Sequence, residues 1–393
     1  MQKLLQLFLA LLIGAMVNTA SAQKLVDMGT LDVSGGSAVA VRVSGSTTEL
    51  NSLANTAFTA HGYYRVSTTS GVFDIRFASA GANQVNVQVS KGTSVVLNQT
   101  ATGSSVRNAF FRAADAAVKA TSGLNGFFAS KLAFVSNRTG KDEIYVSDLF
   151  FGEMKQITND RAFAMTPRWS PDGTRLIYTS FFKSGFPDIY LLNLATMRRD
   201  TFVSVQGTNS GARFSPNGQQ VVMVLSGYGT PEISVSPVSG RPISRLTFSE
   251  AVKSSPCFSP DGAQIVFASE PGPQLYVMLA QSRSPARRIT NSGFSTYCAE
   301  PDWSRGDPSK IAFTFRKDGQ FQVAVLDQKT GKSEQVSKAP YDGVEPCWLA
   351  DGRHLMYTAR AAGTRSLAIL DTVTGHTYRL TGVPAEKASV VGP

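Results

Sequence analysis

A repeat restricts this chain more than any other feature. An aromatic residue stands at Trp169, Phe214, Phe258, Trp303 and Trp348, at intervals of 45, 44, 45 and 45 residues. A turn tetrapeptide follows each one: Ser-Pro-Asp-Gly173, Ser-Pro-Asn-Gly218, Ser-Pro-Asp-Gly262, Ser-Arg-Gly-Asp307 and Leu-Ala-Asp-Gly352. In the first, Pro171 presets φ at the second turn position and Gly173 accepts a positive φ. Runs rich in β-branched and aromatic residues flank these turns, so the unit reads as strand, hairpin, strand. A period of about 40–45 residues with several short strands is that of a propeller blade.

Three further signals recur six times each. One strand is expected at Lys131–Ser136, Arg175–Ser180, Gln220–Leu225, Gln264–Ser269, Lys310–Phe315 and His354–Ala359. A second follows at Glu143–Ser147, Asp188–Leu192, Glu232–Ser236, Gln274–Met278, Phe321–Val325 and Ser366–Leu370. A third is marked by tripeptides such as Gln156-Ile-Thr158, Arg245-Leu-Thr247 and Gln335-Val-Ser337. Against these six stand only five aromatic anchors. The tail supplies the missing inner strand: Ala385-Glu-Lys-Ala-Ser389 echoes Ala251-Val-Lys-Ser-Ser255, and Gly392 then falls at the anchor position. The expectation is a six-bladed ring, closed by pairing the chain's end with Lys131–Ser136. Such closure removes a free sheet edge.

Before the repeats the pattern is mixed. A strand is expected from Ser37 to Val43. An amphipathic helix follows from Ser46 to Ala60, with Leu50, Leu53, Ala54, Ala57 and Phe58 on one face and a Ser46–Glu49 capping box. Phe73, Ile75 and Phe77, then Val85, Val87 and Val89, alternate with polar residues as half-buried strands do. Ser94–Thr100 reads as a further strand, and Ser104–Thr121 as a second helix ended by Gly123. This is a small α/β layer domain. The fold class is therefore mainly β, a six-bladed propeller over residues 128–393, preceded by an N-terminal arm and α/β domain over 23–127.

Residues 1–22 carry a basic start at Lys3, an apolar run from Leu4 to Val17 and a small-residue Ala20-Ser-Ala22 site. These are the three parts of a secretory signal peptide. The mature chain, from Gln23, is expected to be exported and soluble. The formal net charge is +10, and Lys3 is the only charge in the signal, leaving about +9. That balance suits acidic partners. No Lys/Arg cluster is interleaved with aromatics, which argues against nucleic acid. Cys257 and Cys347 occupy equivalent blade positions two periods apart, too far to bridge, so Cys257, Cys298 and Cys347 are expected as buried free thiols.

The run Ser130-Lys-Leu-Ala-Phe-Val-Ser136, the strand Tyr145-Val-Ser-Asp148, the Trp169-Ser-Pro-Asp-Gly173 unit with its relatives and the Thr121–Gly126 turn resemble the TolB family. The resemblance covers nearly the whole mature chain. It implies a periplasmic adaptor of the Tol–Pal cell-envelope system, which supports outer-membrane integrity and cell division and has no enzyme activity. The partners it implies are a Pal-like lipoprotein at the mouth of the propeller channel and a TolA-like inner-membrane protein at the N-terminal segment, here Gln23–Asp32. It also implies a monomer that meets the membrane only through its partners. No cofactor or metal is expected.

The mouth would be built from loops just before the inner strands: Arg161–Thr166, Thr208–Gly211, Lys253–Ser255, Thr296–Glu300 and Asp342–Glu345. Within them Thr208, Asn209, Gly211, Lys253, Ser254, Tyr297, Glu300, Asp342 and Glu345 are the candidate partner-binding residues. Loops held by a rigid scaffold are where binding sits, though an ordinary solvated rim would look the same. The repeated aromatics are read as packing between neighbouring sheets. Two other functions stay open. One is a secreted propeller enzyme acting on glycans or peptides, with Glu300, Asp302 or Glu345 as acid or base. The other is a scaffold for a different envelope complex. Against catalysis, His61, His354 and His376 are not spaced as a metal pair, and no nucleophile elbow or phosphate-binding loop is present.

Overall fold

Alternation of apolar and polar residues builds the first layer. In a computed structural model describing residues 38–392, strands β1 (Val39–Gly45), β2 (Tyr64–Val66), β3 (Phe73–Gly81), β4 (Gln84–Lys91) and β5 (Ser94–Thr102) form one sheet in the order β2-β1-β3-β4-β5. The signal peptide and the Gln23–Asp32 arm lie outside the described residues. Strand β1 is parallel to β2 and β3, and β3, β4 and β5 are antiparallel. Val41, Ile75, Phe77, Val85, Val87 and Val89 are buried on one face. Helices α1 (Thr48–His61) and α2 (Val106–Ser122) cover that face with Leu50, Ala54, Phe58, Phe110, Ala113 and Ala117.

The first helix starts later than its capping box suggested. Ser46 still donates its N–H to the Phe77 carbonyl at 2.8 Å, so it belongs to the sheet edge. Thr47 is the cap, with extended φ, and its hydroxyl accepts from the Leu50 N–H at 3.2 Å. Ser105 caps α2 in the same way, and both helices end on left-handed glycines, Gly62 and Gly123.

Six four-stranded antiparallel sheets follow. The first contains β6 (Lys131–Ser136), β7 (Glu143–Asp148) and β8 (Lys155–Gln156). The second runs β9 (Ala164–Trp169), β10 (Arg175–Ser180), β11 (Asp188–Asn193) and β12 (Arg199–Val203). The third runs β13 (Asn209–Phe214), β14 (Gln220–Leu225), β15 (Glu232–Pro237) and β16 (Ser244–Arg245). The fourth runs β17 (Lys253–Phe258), β18 (Gln264–Ser269), β19 (Gln274–Leu279) and β20 (Arg287–Arg288). The fifth runs β21 (Cys298–Trp303), β22 (Lys310–Lys317), β23 (Gln320–Asp327) and β24 (Lys332–Gln335). The sixth runs β25 (Asp342–Trp348), β26 (His354–Ala361), β27 (Thr364–Asp371) and β28 (Thr377–Arg379). The last strand, β29 (Glu386–Val391), pairs with β6 and is the inner strand of the first blade.

The five aromatic anchors are buried between sheets. Trp169 packs with Ala133, Ile144, Leu176, Tyr178 and Val391 across the first and second blades. Its indole N–H donates to the Ser389 carbonyl at 3.1 Å, tying the second blade to the tail. Register corrects one expectation. Val390 lies opposite Leu132 as Trp169 lies opposite Leu176, so Val390 and not Gly392 holds the anchor position. The echo of the Lys253 region in the tail is accordingly displaced by two residues. The three cysteines are free and buried.

The α/β domain shares one core with the first and sixth blades. Phe58 and Phe110 lie in the same cluster as Leu132, Phe134, Met356 and Leu367. Arg107 of α2 makes a two-point contact with Asp148, at 3.1 and 3.2 Å. His354 and His376 place ring nitrogens on the His61 and Thr59 carbonyls at the end of α1, at 2.5 and 2.9 Å. These contacts fall on the turns at the far ends of the inner strands, so the pre-strand loops face away from the α/β domain.

Candidate functional site

The inner strands are not regular. Each shifts register part-way along, a β-bulge in every blade. At each bulge one residue adopts a left-handed conformation: Thr166 (φ 51°), Gly211 (φ 64°), Ser255 (φ 52°), Glu300 (φ 54°), Glu345 (φ 56°) and Lys387 (φ 57°). Only glycine takes this region without cost, and a β-branched threonine pays most. Such strain persists where the surroundings over-determine it, often at binding surfaces. The six residues converge on the channel, where they line a cavity of 180 Å³.

Their side chains form a continuous network across the fifth, sixth and first blades. A Glu300 carboxylate oxygen accepts from the Thr314 hydroxyl at 2.7 Å and from the Glu345 N–H at 3.0 Å. Glu345 in turn accepts from the Thr358 hydroxyl at 3.0 Å and sits 3.5 Å from Arg360 and 3.8 Å from Lys387. The Lys387 N–H donates to Thr358 at 3.0 Å. Burial first, and then the charge of Glu345, raise the Glu300 carboxyl above its usual range. The mouth therefore has an acidic arc with a basic neighbour, and threonine and serine on the other side.

The loops above this ring are held from inside by a device that repeats. In four blades a buried Glu or Gln stands at or near the start of the strand just inside the outermost one. The Thr158 hydroxyl donates to Glu143 at 2.5 Å and accepts from the Ile144 N–H at 2.8 Å. Thr247 does the same with Glu232 and Ile233, Thr290 with Gln274 and Leu275, and Ser337 with Gln322 and Val323. The remaining oxygen or amide reaches the loop: Glu143 accepts from Arg161 N–H at 2.9 Å, Glu232 from Ser249 N–H at 2.5 Å, and the Gln322 amide donates to the Tyr341 carbonyl at 3.0 Å. This device is barely visible in the sequence. Its only local signal is the Thr or Ser closing each third-strand tripeptide.

The candidate residues divide accordingly. Gly211, Glu300 and Glu345 come together in the channel ring. Thr208, Ser254 and Tyr297 are half-buried at the rim, with Tyr297 set edge-on against Phe321 at 5.1 Å. Asn209, Lys253 and Asp342 serve the scaffold. Asn209 is fully buried and donates to the Val205 carbonyl at 2.8 Å. The Lys253 ammonium is buried among Ser249, the Ala251 carbonyl and Glu232. Asp342 accepts from the Phe321 N–H at 2.9 Å. Lys387 belongs to the ring but was not among the candidates, since the mouth loops were read only ahead of the five aromatic anchors. Around the ring, on the same face, Phe163, Phe182, Phe186 and Tyr228 are exposed. Arg199 lies 4.1 Å over Phe182 and Arg245 lies 4.9 Å over Tyr228, pairs that sequence spacing alone does not reveal.

One group among the described residues has metal-like spacing: His61, Asp351 and His354 offer ligand atoms within 4.8 Å of one another. Both ring nitrogens of His354 already face oxygen acceptors, Asp351 and the His61 carbonyl, each at 2.5 Å. The His61 ring stacks on Phe127 at 5.1 Å. The set fits a seam between the α/β domain and the sixth blade rather than an ion site, since a metal would need lone pairs that His354 has committed.

Comparisons with known proteins bear on the family and the fold. The family described as TolB beta propeller domain matches residues 118–388. A protein named TolB homolog from Chlorobium luteolum is 36% identical over 163 residues, 41% of this chain and 37% of its own length. The Tol-Pal system protein TolB of Bordetella pertussis is 32% identical over 209 residues, 52% and 46% of the two chains. The aligned stretches thus span less than half of these relatives. The crystal structure of TolB from Acinetobacter baumannii superposes with a TM-score of 0.80 over 92% of this chain and 98% of that one, at 22% identity, which speaks for the fold.

Proposed function

The chain belongs to the TolB β-propeller family, and from that membership we propose that it is a periplasmic adaptor of the Tol–Pal system that works by binding alone. A Pal-like lipoprotein docks its globular domain on the channel mouth, and the segment Gln23–Asp32 contacts a TolA-like inner-membrane protein. The observation that carries the reading is the ring of six left-handed residues, presented on the face away from the α/β domain and held by buried staples. A preorganised polar ring loses little entropy when a partner seats on it. The exposed aromatics and their arginines extend the surface outward, as the composition of binding surfaces favours. No helix of the described residues is long and apolar enough to cross a membrane.

The test is calorimetric titration of the mature chain with the soluble domain of the same organism's Pal-like lipoprotein. A Kd of about 1 μM or tighter is expected. Glu345→Lys reverses one charge in the ring and weakens binding about 10-fold or more, whereas Glu334→Lys on the exposed outer strand of the fifth blade leaves it unchanged. No heat from chains that melt normally would overturn the docking. Removal of Gln23–Asp32 should abolish pull-down of the TolA-like protein; retention would remove that contact from the proposal.

A further inference from the structure

Below the ring of left-handed residues the channel has a second layer, two residues further along each inner strand: Arg168, Arg213, Cys257, Asp302, Cys347 and Ser389. We propose that this layer is a small-molecule site, in which Arg168 and Arg213 hold the phosphate or carboxylate group of a ligand lying in the chamber toward the α/β domain.

The fold holds the two guanidiniums unequally. Arg213 is paired: its Nη1 lies 2.5 Å from Asp302 Oδ1 on a blade two steps round the ring. The other Asp302 oxygen accepts from the Trp348 N–H at 2.8 Å, so each oxygen of that carboxylate already has a partner. Arg168 donates from Nη1 to the Ala388 carbonyl at 2.9 Å and to the Pro167 carbonyl at 3.3 Å. Among the described residues it has no carboxylate within salt-bridge distance, and its Nε and Nη2 have no hydrogen-bond partner. Burial, and then the neighbouring Arg213, push its guanidinium down to about 10, which still leaves it charged at neutral pH. Arg168 is half-buried in the channel wall, and the Asp302 and Glu345 carboxylates favour its charge from a distance without contacting it. A planar fork with two free donors is the shape that takes an oxyanion at two points.

The space for the ligand is present. A cavity of 430 Å³ lies against Arg168 and Arg213, within the size range of small-molecule sites. Its charged lining is Arg168, Arg213, Arg305 and Asp302, three cations against one anion. Trp169, Trp303 and Trp348 contribute apolar wall. Arg305 is exposed beside Asn125 and marks the way in. The ligand class is therefore a small phosphate- or carboxylate-bearing molecule with a compact apolar body. The chamber opens at the opposite end of the channel from the proposed lipoprotein mouth, and Arg168 and Arg213 stand between it and the smaller cavity under the ring, lining both.

The experiment uses the full mature chain, with inorganic phosphate and succinate as probes and sodium chloride at matched ionic strength as the control. Calorimetry and thermal melts are expected to show saturable binding of at least one probe and no saturable response to chloride. A response to phosphate alone, or to succinate alone, identifies which head group the site accepts. Arg168→Gln is expected to weaken binding by about 10-fold or more, and to stay folded with a melting temperature close to wild type when no probe is present, because no ion pair is broken. Arg305→Gln, at the exposed entrance, is the second variant and should weaken binding about threefold without touching the folded core. Absence of a saturable response to both probes overturns the proposal. So does a response of the same size in wild type and both variants.

Discussion

Asp115 joins the two halves of the molecule through a single carboxylate. It leaves α2 on the inner side and accepts the Phe128 and Ala129 N–H groups at 2.7 and 3.0 Å, which fixes the chain where the α/β domain turns into the first blade. The approach is so close that a Cβ on Gly126 would lie 2.2 Å from the Asp115 Cβ. Burial raises this carboxyl from 3.8 to about 7, against the pull of its backbone donors. The folded state then holds a proton that the unfolded state has lost between those two values. Stability from this group is complete below about pH 4 and declines as pH rises through 7. Asp115→Asn should flatten the melting temperature between pH 4.5 and 8 relative to wild type; an unchanged slope would show that the group does not titrate there. Asp115→Ala should cost about 2 kcal/mol by orphaning two buried donors. Helical periodicity placed Val106, Phe110, Ala113 and Ala117 on the buried face correctly. It could not reveal Asp115, because the donors it serves come from a segment that lies beside α2 only after folding.

Within a blade, stability and binding geometry share the same parts. The third-strand tripeptides marked the outer edge of each sheet, and those outer strands are as short as two residues in β8, β16 and β20. What holds them is the hydroxyl just beyond, bonded to a buried Glu or Gln that also grips the loop leading to the next blade. Glu232 is the most heavily used: Thr247, Ser249 N–H, Arg245 and Lys253 all converge on it. Burial opposes its charge, yet these donors win and lower its carboxyl. Glu232→Ala should cost about 3 kcal/mol, since it leaves Lys253 buried without its carboxylate. It should also speed amide exchange across residues 248–253. Exchange that stays slow there, with the melt unchanged, would mean that the loop is held by other contacts. Lys253 and Asn209 looked like rim residues because loop position and polarity in sequence do not say which way a side chain points. Glu300 and Glu345 have the same local appearance, and only the bulge turns them into the channel.

For the whole molecule the decisive contact is between residues far apart in the chain. Strand β29 lies between β6 and the second blade, joined to the second blade by Trp169 N–H and indole bonds to Ser389 at 3.2 and 3.1 Å. Removal of residues 385–393 opens the ring and exposes β6 as an edge. The melting temperature should fall by about 10 °C or more, and the transition should broaden, as adjacent blades lose mutual support. A single sharp transition at the wild-type temperature would show that closure contributes little. The blade count, the closing strand and the α/β layer were legible because each rests on local periodicity, which the backbone imposes wherever alternating or helical patterns occur. The exact register of the tail was not, because Val390 lacks the aromatic mark that dates the other five inner strands. Residues alone also identified the anchors, the turns and the face that carries the loops. Tertiary structure alone decided which polar residues enter the channel, which become staples, and that three arginines share a chamber with one aspartate. Those outcomes depend on bulge position and on neighbours from other blades, and neither is encoded within one repeat.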